Sequence, residues 1–325
     1  MHLEDVTVEG FKSFSEKSEM TFQPGIGVII GNNGVGKSNI LDALLWGLGE
    51  DDLTRLRCLE DDELFFVGSK DKPPAEVARV ALTFRQGPGK DAAAFPLIRE
   101  RHKAGGEHFF LAGREAPREE YLAHLDYLEL REVPKTVIKQ EEINDLILLD
   151  PWQRLAAAAR LLGREREETV ELVRQRVAPL FEEYLHYLFP LGEGRLVAPE
   201  KDGQPGLDLE ITLAGNRRRR AHQLSGGEKS VSSLALKLAL FELLASPLYL
   251  LDEVEPALDY TNHKSMQKLL KTLAAKKQLI MITHLRSTIE LANTLHGVRT
   301  RFDGSSFMKF YFVMDSRLLR LYKCC

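Results

Sequence analysis

Cysteine is nearly absent from this chain, with three in 325 residues, at positions 58, 324 and 325. That number and spacing supplies neither a disulfide framework nor a zinc site, and the adjacent Cys324-Cys325 pair reads as an unstructured tail. Long apolar runs are missing too. None approaches the ~20 residues that cross a bilayer, and Met1-His2-Leu3-Glu4-Asp5 lacks the basic and apolar regions of a signal peptide. A cytoplasmic protein without a membrane role is therefore expected. Charge is balanced, 44 Lys+Arg against 48 Asp+Glu, so the bulk field offers nucleic acid no attraction and any DNA contact must come from a local patch. The one concentrated basic run is Arg217-Arg218-Arg219-Arg220. It reads most simply as a solvated turn, with a phosphate or DNA contact as the alternative. With 44% hydrophobic residues, the length suits one large α/β domain or two smaller ones.

What is present centres on Gly31-Asn32-Asn33-Gly34-Val35-Gly36-Lys37-Ser38, a complete Gly-x4-Gly-Lys-Ser pattern. The apolar run Ile26–Ile30 precedes it, and Asn39-Ile40-Leu41-Asp42-Ala43-Leu44-Leu45-Trp46 follows with apolar residues at helical spacing. Strand, glycine-rich turn and helix is the context a phosphate-binding loop needs. Its glycines turn backbone N–H groups inward, and the positive end of the following helix completes a cup for phosphates. Lys37 can then reach the β- and γ-phosphates of a nucleotide, and the Ser38 hydroxyl can bind Mg²⁺. A glycine-rich turn with a surface lysine is the bland alternative, and the flanking strand and helix argue against it.

A second set of chemical residues lies far downstream. Leu224-Ser225-Gly226-Gly227-Glu228-Lys229 precedes a long helical pattern. Ser225 is a good N-cap, and two glycines after it weaken a helix for no structural gain, which favours a functional role such as holding a phosphate. Pro247 to Glu253 reads as a buried parallel strand ending in two carboxylates. Asp252 can hold the Mg²⁺ shell and Glu253 can orient and deprotonate an attacking water. Ala257-Leu258-Asp259 follows, then a helix from about Thr261 to Ala275, then the strand Gln278–Ile282 ending in Thr283-His284. By itself His284 reads as a structural residue; its place after the Asp-Glu strand suggests a sensor of the γ-phosphate.

Between these sets, Leu3 to Gly10 and Met20 to Phe22 read as strands, and Ala75 to Phe84, Phe95 to Arg101 and His108 to Leu111 as an antiparallel sheet. In Gly10-Phe11-Lys12-Ser13-Phe14 the aromatics suit loop packing as well as a place beside a nucleotide. Pro117 to Leu125 reads as helical and Thr136 to Lys139 as a short strand ending at Gln140, before two helices interrupted at Asp150-Pro151. Arg164 to Leu188 reads as one helix with a narrow apolar seam and a break or kink at Pro179. Leu191 to Pro205, rich in Gly and Pro, reads as a boundary before an alternating strand from Leu207 to Leu213.

The phosphate loop, Gln140, Leu-Ser-Gly-Gly-Glu, Leu-Leu-Asp-Glu, Ala-Leu-Asp and Thr-His, in this order, resemble the ATP-binding cassette superfamily. Several segments are similar more narrowly to the head domain of structural maintenance of chromosomes (SMC) proteins. These are Gly10-Phe-Lys-Ser-Phe14, Gly34-Val-Gly-Lys-Ser-Asn-Ile-Leu-Asp42, Leu56-Arg57 before Leu64-Phe65-Phe66-Val67-Gly68-Ser69, Leu224-Ser-Gly-Gly-Glu-Lys229 and Leu251-Asp-Glu-Val-Glu-Pro-Ala-Leu-Asp259. The resemblance implies an α/β fold of the ATP-binding-cassette type with a mixed or parallel core sheet, an antiparallel β lobe and a helical subdomain. It divides the chain into an N-terminal lobe (1–163), a short helical stub (164–190) where the family has its coiled-coil arm and hinge, and a C-terminal lobe (191–325), the two lobes forming one domain. Either an arm has been removed from a longer protein or this is a naturally short relative.

Residue by residue, the resemblance implies that ATP and Mg²⁺ are held by Lys12, Ser13, Asn32, Asn33, Gly34, Val35, Gly36, Lys37, Ser38, Asn39, Arg57 and Asp252. Ser38, Gln140 and Asp252 would be on the metal, and Glu253, Gln140 and His284 would be catalytic. Ser225, Gly226 and Gly227 would bind the γ-phosphate held by a second copy of the chain, so that two heads close around two ATP molecules. Implied partners are that second copy, a kleisin-type subunit and DNA, with a nucleoid-associated location and work in chromosome condensation and segregation. The family usually has Asp where Glu255 stands, Leu285-Arg286 differs from its asparagine-containing sequence, and the segment from Phe302 has little family likeness. The competing expectations are the head of a related DNA-repair ATPase of the recombination-protein or zinc-hook type, the nucleotide-binding subunit of a membrane transporter, and an ATP-binding scaffold that no longer hydrolyses.

Overall fold

The structure is a computed structural model that describes residues 1–87, 92–213, 217–254 and 260–313; Glu255, the Ala257-Leu258-Asp259 motif and Cys324-Cys325 lie outside the described residues. Two compact units divide the chain. One comprises Met1–Val137, Ser246–Asp252 and the segment beginning at Ala274; the other comprises Ile138–Ala245 and Glu253–Leu273.

The first unit holds two six-stranded sheets. One is antiparallel, in the order Ser18–Thr21, His2–Glu9, Val77–Gln86, Ala93–His102, Glu107–Leu111 and Arg114–Ala116. Its long strand Val77–Gln86 buries every second residue, which is what alternation of apolar and polar side chains demands of a sheet with one wet face. The other sheet is mixed. Its order is Ser306–Val313, Thr294–Thr300, Ile26–Ile30, Gln278–Ile282, Leu248–Asp252 and the short Val137–Ile138, where the chain passes to the other unit. Ile26–Ile30 runs parallel to both neighbours, Gln278–Ile282 and Thr294–Thr300. Leu248–Asp252 and Gln278–Ile282 are buried at every position, as strands covered on both faces must be.

The helix Lys37–Gly47 is buried nearly all round because it is covered from two sides. One core cluster joins its Leu41, Leu44 and Leu45 to Val80 and Leu82 of the antiparallel sheet and to Leu250, Ile280 and Ile282 of the mixed sheet. The same burial explains the aromatics around Lys12. Phe11 and Phe14 are both fully buried, and Phe11 packs on Trp46 with ring centroids 5.5 Å apart, so both belong to the core.

His296, on Thr294–Thr300, is fully buried between Phe22 and Tyr311, at centroid distances of 4.5 and 5.0 Å. Burial lowers its pKa to about 4 from the ordinary 6.5, against a smaller opposing effect of the Thr21 backbone. Because the folded value is the depressed one, the associated stability is present above pH 6.5 and is lost as pH falls toward 4. Between pH 7 and pH 5 the loss is about 2 kcal/mol. His296→Phe is expected to remove it: urea unfolding at the two pH values should show a smaller acid loss in the variant, and an unchanged loss would refute the assignment.

The second unit is mostly helical. Asp150 caps Pro151–Leu162 by accepting from the N–H groups of Trp152 (2.9 Å) and Gln153 (2.8 Å), which ends one helix and starts the next at the expected Asp-Pro. Arg166–Leu172 and Ala178–Leu188 are joined by a π-helical turn over Val173–Val177. The irregularity expected at Pro179 thus lies in the turn before it, where the ring removes a hydrogen-bond donor, and the helix continues. Leu191 to Pro205, expected as a boundary, instead contains strands. Glu193–Val197 pairs with Asp208–Leu213, which pairs with Arg217–Arg220. Gly194 is there because any larger residue would strike Leu185 of the underlying helix, so it marks close approach and not a linker.

Candidate functional site

Gly34 (φ 80°) and Gly36 (φ 93°) take left-handed angles that shape the turn, and Gly36 is the N-cap of the helix Lys37–Gly47. Asn32, Asn33 and Gly34 are exposed at the loop's apex, while Ser38 and Asn39 are half-buried. Lys37 is buried, and its ammonium donates to the carbonyls of Gly31 (2.9 Å) and Asn32 (3.0 Å). It also lies 3.1 Å from Nε2 of His284. An ammonium only donates, so Nε2 is the acceptor in this contact. His284 reaches this place because it follows Gln278–Ile282, the parallel neighbour of Ile26–Ile30. Asp252 ends the next parallel strand, opposite Ile282, which puts it about 10 Å from the Ile26–Ile30 strand by the usual strand spacing. The loop over residues 31–38, His284 and Asp252 therefore share the carboxyl ends of three adjacent parallel strands of the mixed sheet, where open α/β sheets bind ligands.

Beside the loop lies a charge cluster that sequence reasoning only half anticipated. Asp42, fully buried on the helix after the loop, accepts from Lys12 Nζ (2.6 Å) and Arg57 Nη2 (2.7 Å). Lys12 also donates to the Leu56 carbonyl, and Arg57 Nη2 lies 3.5 Å from Asn39 Oδ1. Asp42 was visible as a carboxylate inside an apolar helical run, a position that requires cationic partners. Lys12 (φ 48°), Arg57 (φ 54°) and Glu253 (φ 48°) all hold left-handed backbone angles, unfavourable for residues with a Cβ. Such strain is retained where the surroundings over-determine it, and it concentrates at functional sites.

In the second unit, Ser225, Gly226 and Gly227 are exposed at the start of the helix Gly226–Phe241. A side chain added at Gly226 would meet nothing within 4 Å, so the chain's own packing does not require glycine there. Glu228 Oε2 accepts from the Ser225 N–H (2.7 Å), and Arg219 Nη1 holds the same carboxylate at 3.3 Å. Arg220 pairs with Asp208 (3.4 Å) and Glu210 (2.8 Å), so Arg219 and Arg220 of the basic run are both engaged by carboxylates. Gln140 is exposed and opens the short turn Gln140–Glu142. That segment is tied to the helix Gly226–Phe241 twice: Ser230 Oγ bonds Asn144 Oδ1 (3.1 Å), and the buried Lys237 ammonium donates to the Glu142 carbonyl and lies 3.6 Å from Asp145. Burial holds the Lys237 pKa below its ordinary range.

The first unit thus brings together Lys12, Ser13, Asn32 to Asn39, Arg57, Asp252 and His284; the second carries Gln140, Glu253 and Ser225 to Gly227. Ser306, which the sequence left in a stretch without likeness, hydrogen-bonds Ser13 and the carbonyl of Val35 in the phosphate loop. Its signal was the β-rich run Ser306-Phe-Met-Lys-Phe-Tyr-Phe-Val313, which forms the edge strand of the mixed sheet.

The layered α/β architecture and the loop at its sheet edge define a nucleotide-binding head of the ATP-binding-cassette class. The family model described as "RecF/RecN/SMC N terminal domain" matches residues 2–306, and the chain belongs to that family. Among solved structures it is similar to an Smc head bound to the C-winged helix domain of ScpA, with 30% identity, TM-score 0.85, and 97% of this chain and 99% of that one covered. It is also similar to the SMC head domain from Thermotoga maritima, with 30% identity, TM-score 0.69, and 95% and 98% covered. The chromosome partition protein Smc of Mycolicibacterium paratuberculosis is 41% identical over 126 residues, which are 38% of this chain and 10% of that protein. The matched part of this chain therefore spans about a tenth of such curated relatives.

Proposed function

We propose that this chain binds and hydrolyses ATP as an SMC-type head, and that it does so in pairs, each copy completing the other's site. The observation that carries this reading is the shared sheet edge, with Lys37 3.1 Å from His284 and Asp252 on the next strand. In this reading the loop N–H groups and Lys37 bind the β- and γ-phosphates, and His284 contacts the γ-phosphate. Arg57, Lys12, Ser13 and Asn39 line the nucleotide.

The residues present fit Mg²⁺: Ser38 and Asp252 offer the hard oxygen donors this ion takes, the family resemblance would add Gln140, and Mg²⁺ ordinarily keeps several waters and phosphate oxygens besides. Bound there, it would neutralise charge developing on the phosphates. Glu253 follows Asp252 directly and acts as general base toward the attacking water. Ser225, Gly226 and Gly227, exposed at the helix start with open space around Gly226, reach the γ-phosphate held by the second copy. The dimer is isologous, with two composite sites that ATP binding closes and hydrolysis opens.

By likeness to the ScpA-bound Smc head, a kleisin-type subunit is the second partner, and chromosome partitioning on DNA is the setting. The composite site is tested by Ser225→Arg. ATP binding should stay within about twofold of wild type while ATP-dependent dimerisation is lost and ATPase turnover falls at least tenfold, because a large cation fills the turn offered to the partner. Loss of ATP binding itself would place Ser225 in its own copy's site and refute the paired arrangement. As a second check, wild-type turnover per molecule should fall on dilution.

A further inference from the structure

The phosphate loop is braced from the far end of the chain. Ser306, the first residue of the edge strand Ser306–Val313, is buried, and its N–H donates to the Ser13 carbonyl at 2.7 Å. Its hydroxyl lies 2.8 Å from the Val35 carbonyl and 2.7 Å from Ser13 Oγ, and Asn39 Nδ2 donates to Ser13 Oγ at 2.8 Å. A side chain at Gly36 would collide with both hydroxyls, so the contact also requires the glycine.

The proton order in this row is determined by its ends. A carbonyl oxygen only accepts and an amide NH₂ only donates. Ser306 therefore gives its one proton to Val35, Ser13 gives its proton to Ser306, and Asn39 gives one to Ser13. The amide of Asn39 is oriented in turn by Arg57, whose Nη2 lies 3.5 Å from Oδ1. The row runs in one direction from the Arg57 guanidinium to the Val35 carbonyl.

A planar trans peptide points its C=O and N–H in opposite directions, and no described peptide bond is cis. With the Val35 carbonyl held by Ser306, the Gly36 N–H is turned away from Ser306. We infer that Ser306 is a positioning residue for nucleotide binding: by holding the Val35 carbonyl it presents the Gly36 N–H to the phosphates. This rests on the reading of the loop as an ATP site. Nothing in the Gly-x4-Gly-Lys-Ser pattern reveals such a brace, because it comes from the other end of the sequence.

The hairpin turn before Ser306 is anchored independently. Arg301 and Lys72 both pair with Glu16, and Ser305 bonds Asp303 through its N–H (2.8 Å) and hydroxyl (2.6 Å). The strand's attachment therefore does not depend on the Ser306 hydroxyl, and Ser306→Ala should fold.

The test measures Mg-ATP affinity, kcat and KM for wild type, Ser306→Ala and Ser305→Ala. Ser306→Ala should weaken ATP binding and raise KM about tenfold, the worth of one buried hydrogen bond, with kcat within twofold. Ser305→Ala should match wild type, because its hydroxyl serves Asp303. By NMR, the ATP-induced shift of the Gly36 amide proton should shrink in Ser306→Ala, a change that lowered stability alone does not produce. Wild-type binding with an unchanged Ser306→Ala affinity overturns this inference alone. Absence of ATP binding by the wild-type chain overturns the reading of the site and this inference with it. If the alanine variant does not fold, Ser306→Cys, which keeps the bulk and donates weakly, is read by the same criteria.

Discussion

Glu253→Gln should convert ATP from a transient into a lasting cement between two copies. Glutamine keeps the size and the hydrogen-bonding reach of glutamate but cannot take a proton from water, and losing a general base typically lowers a rate by about 10²- to 10⁴-fold. In the proposed site the phosphate and metal contacts would lie on other residues, Lys37, Ser38 and Asp252 among them, so binding and closure should survive while reopening does not. Light scattering with Mg-ATP should report twice the mass of one chain, and without ATP a single chain. The strained backbone of Glu253 (φ 48°) belongs to the main chain and persists with either side chain, so folding should be unaffected. A variant that remains single with saturating ATP would remove the basis for paired sites.

The largest stability effect is expected at Arg154, which is 2% exposed. Its guanidinium donates to four carbonyls, those of Leu146 (2.8 Å), Leu207 (2.7 Å), Ile147 (3.2 Å) and Leu149 (2.6 Å), and to Asp208 (2.9 Å). One side chain thereby ties the turn before Pro151–Leu162 to the strand Asp208–Leu213. Burial lowers its pKa, with Asp208 opposing, yet an arginine stays charged across the working range. Arg154→Met keeps the bulk and removes all five bonds, leaving buried carbonyls without a donor. A loss of about 3–5 kcal/mol follows, a large part of a domain's usual stability of about 5–15 kcal/mol. Asp208→Asn should cost much less, because Arg154 keeps its carbonyls and Asp208 has a second arginine at 3.4 Å. Denaturant unfolding of both variants decides this: a loss below about 1 kcal/mol for Arg154→Met would show that water replaces the guanidinium.

Arg154 also illustrates why some of the fold could not be read in advance. Alternation in Val77–Gln86, the continuous apolar runs of Leu248–Asp252 and Gln278–Ile282, and the Asp150 cap are local patterns, and each forms the element its pattern implies. The glycine-rich turn between Ile26–Ile30 and Lys37–Gly47 and the strand ends carrying Asp252 and His284 were legible for the same reason. What escaped depends on contacts between distant residues. Gly194 looked like a linker glycine until Leu185 was placed under it, and Ser306 looked like part of an unremarkable tail until its partners Ser13 and Val35 were seen. Asp42 lay within a quoted motif, but its role in holding both Lys12 and Arg57 appears only when three separate segments meet.

The strand that carries the loop, Ile26–Ile30, takes both of its neighbours, Gln278–Ile282 and Thr294–Thr300, from about 250 residues downstream. Until translation reaches Gln278, Ile26–Ile30 is an apolar strand with two open edges. Such an edge invites pairing with other chains, so this stretch is exposed to mispairing until its two neighbours are made. Competence to hold a triphosphate should appear abruptly, only once the hairpin of Thr294–Thr300 and Ser306–Val313 has been made.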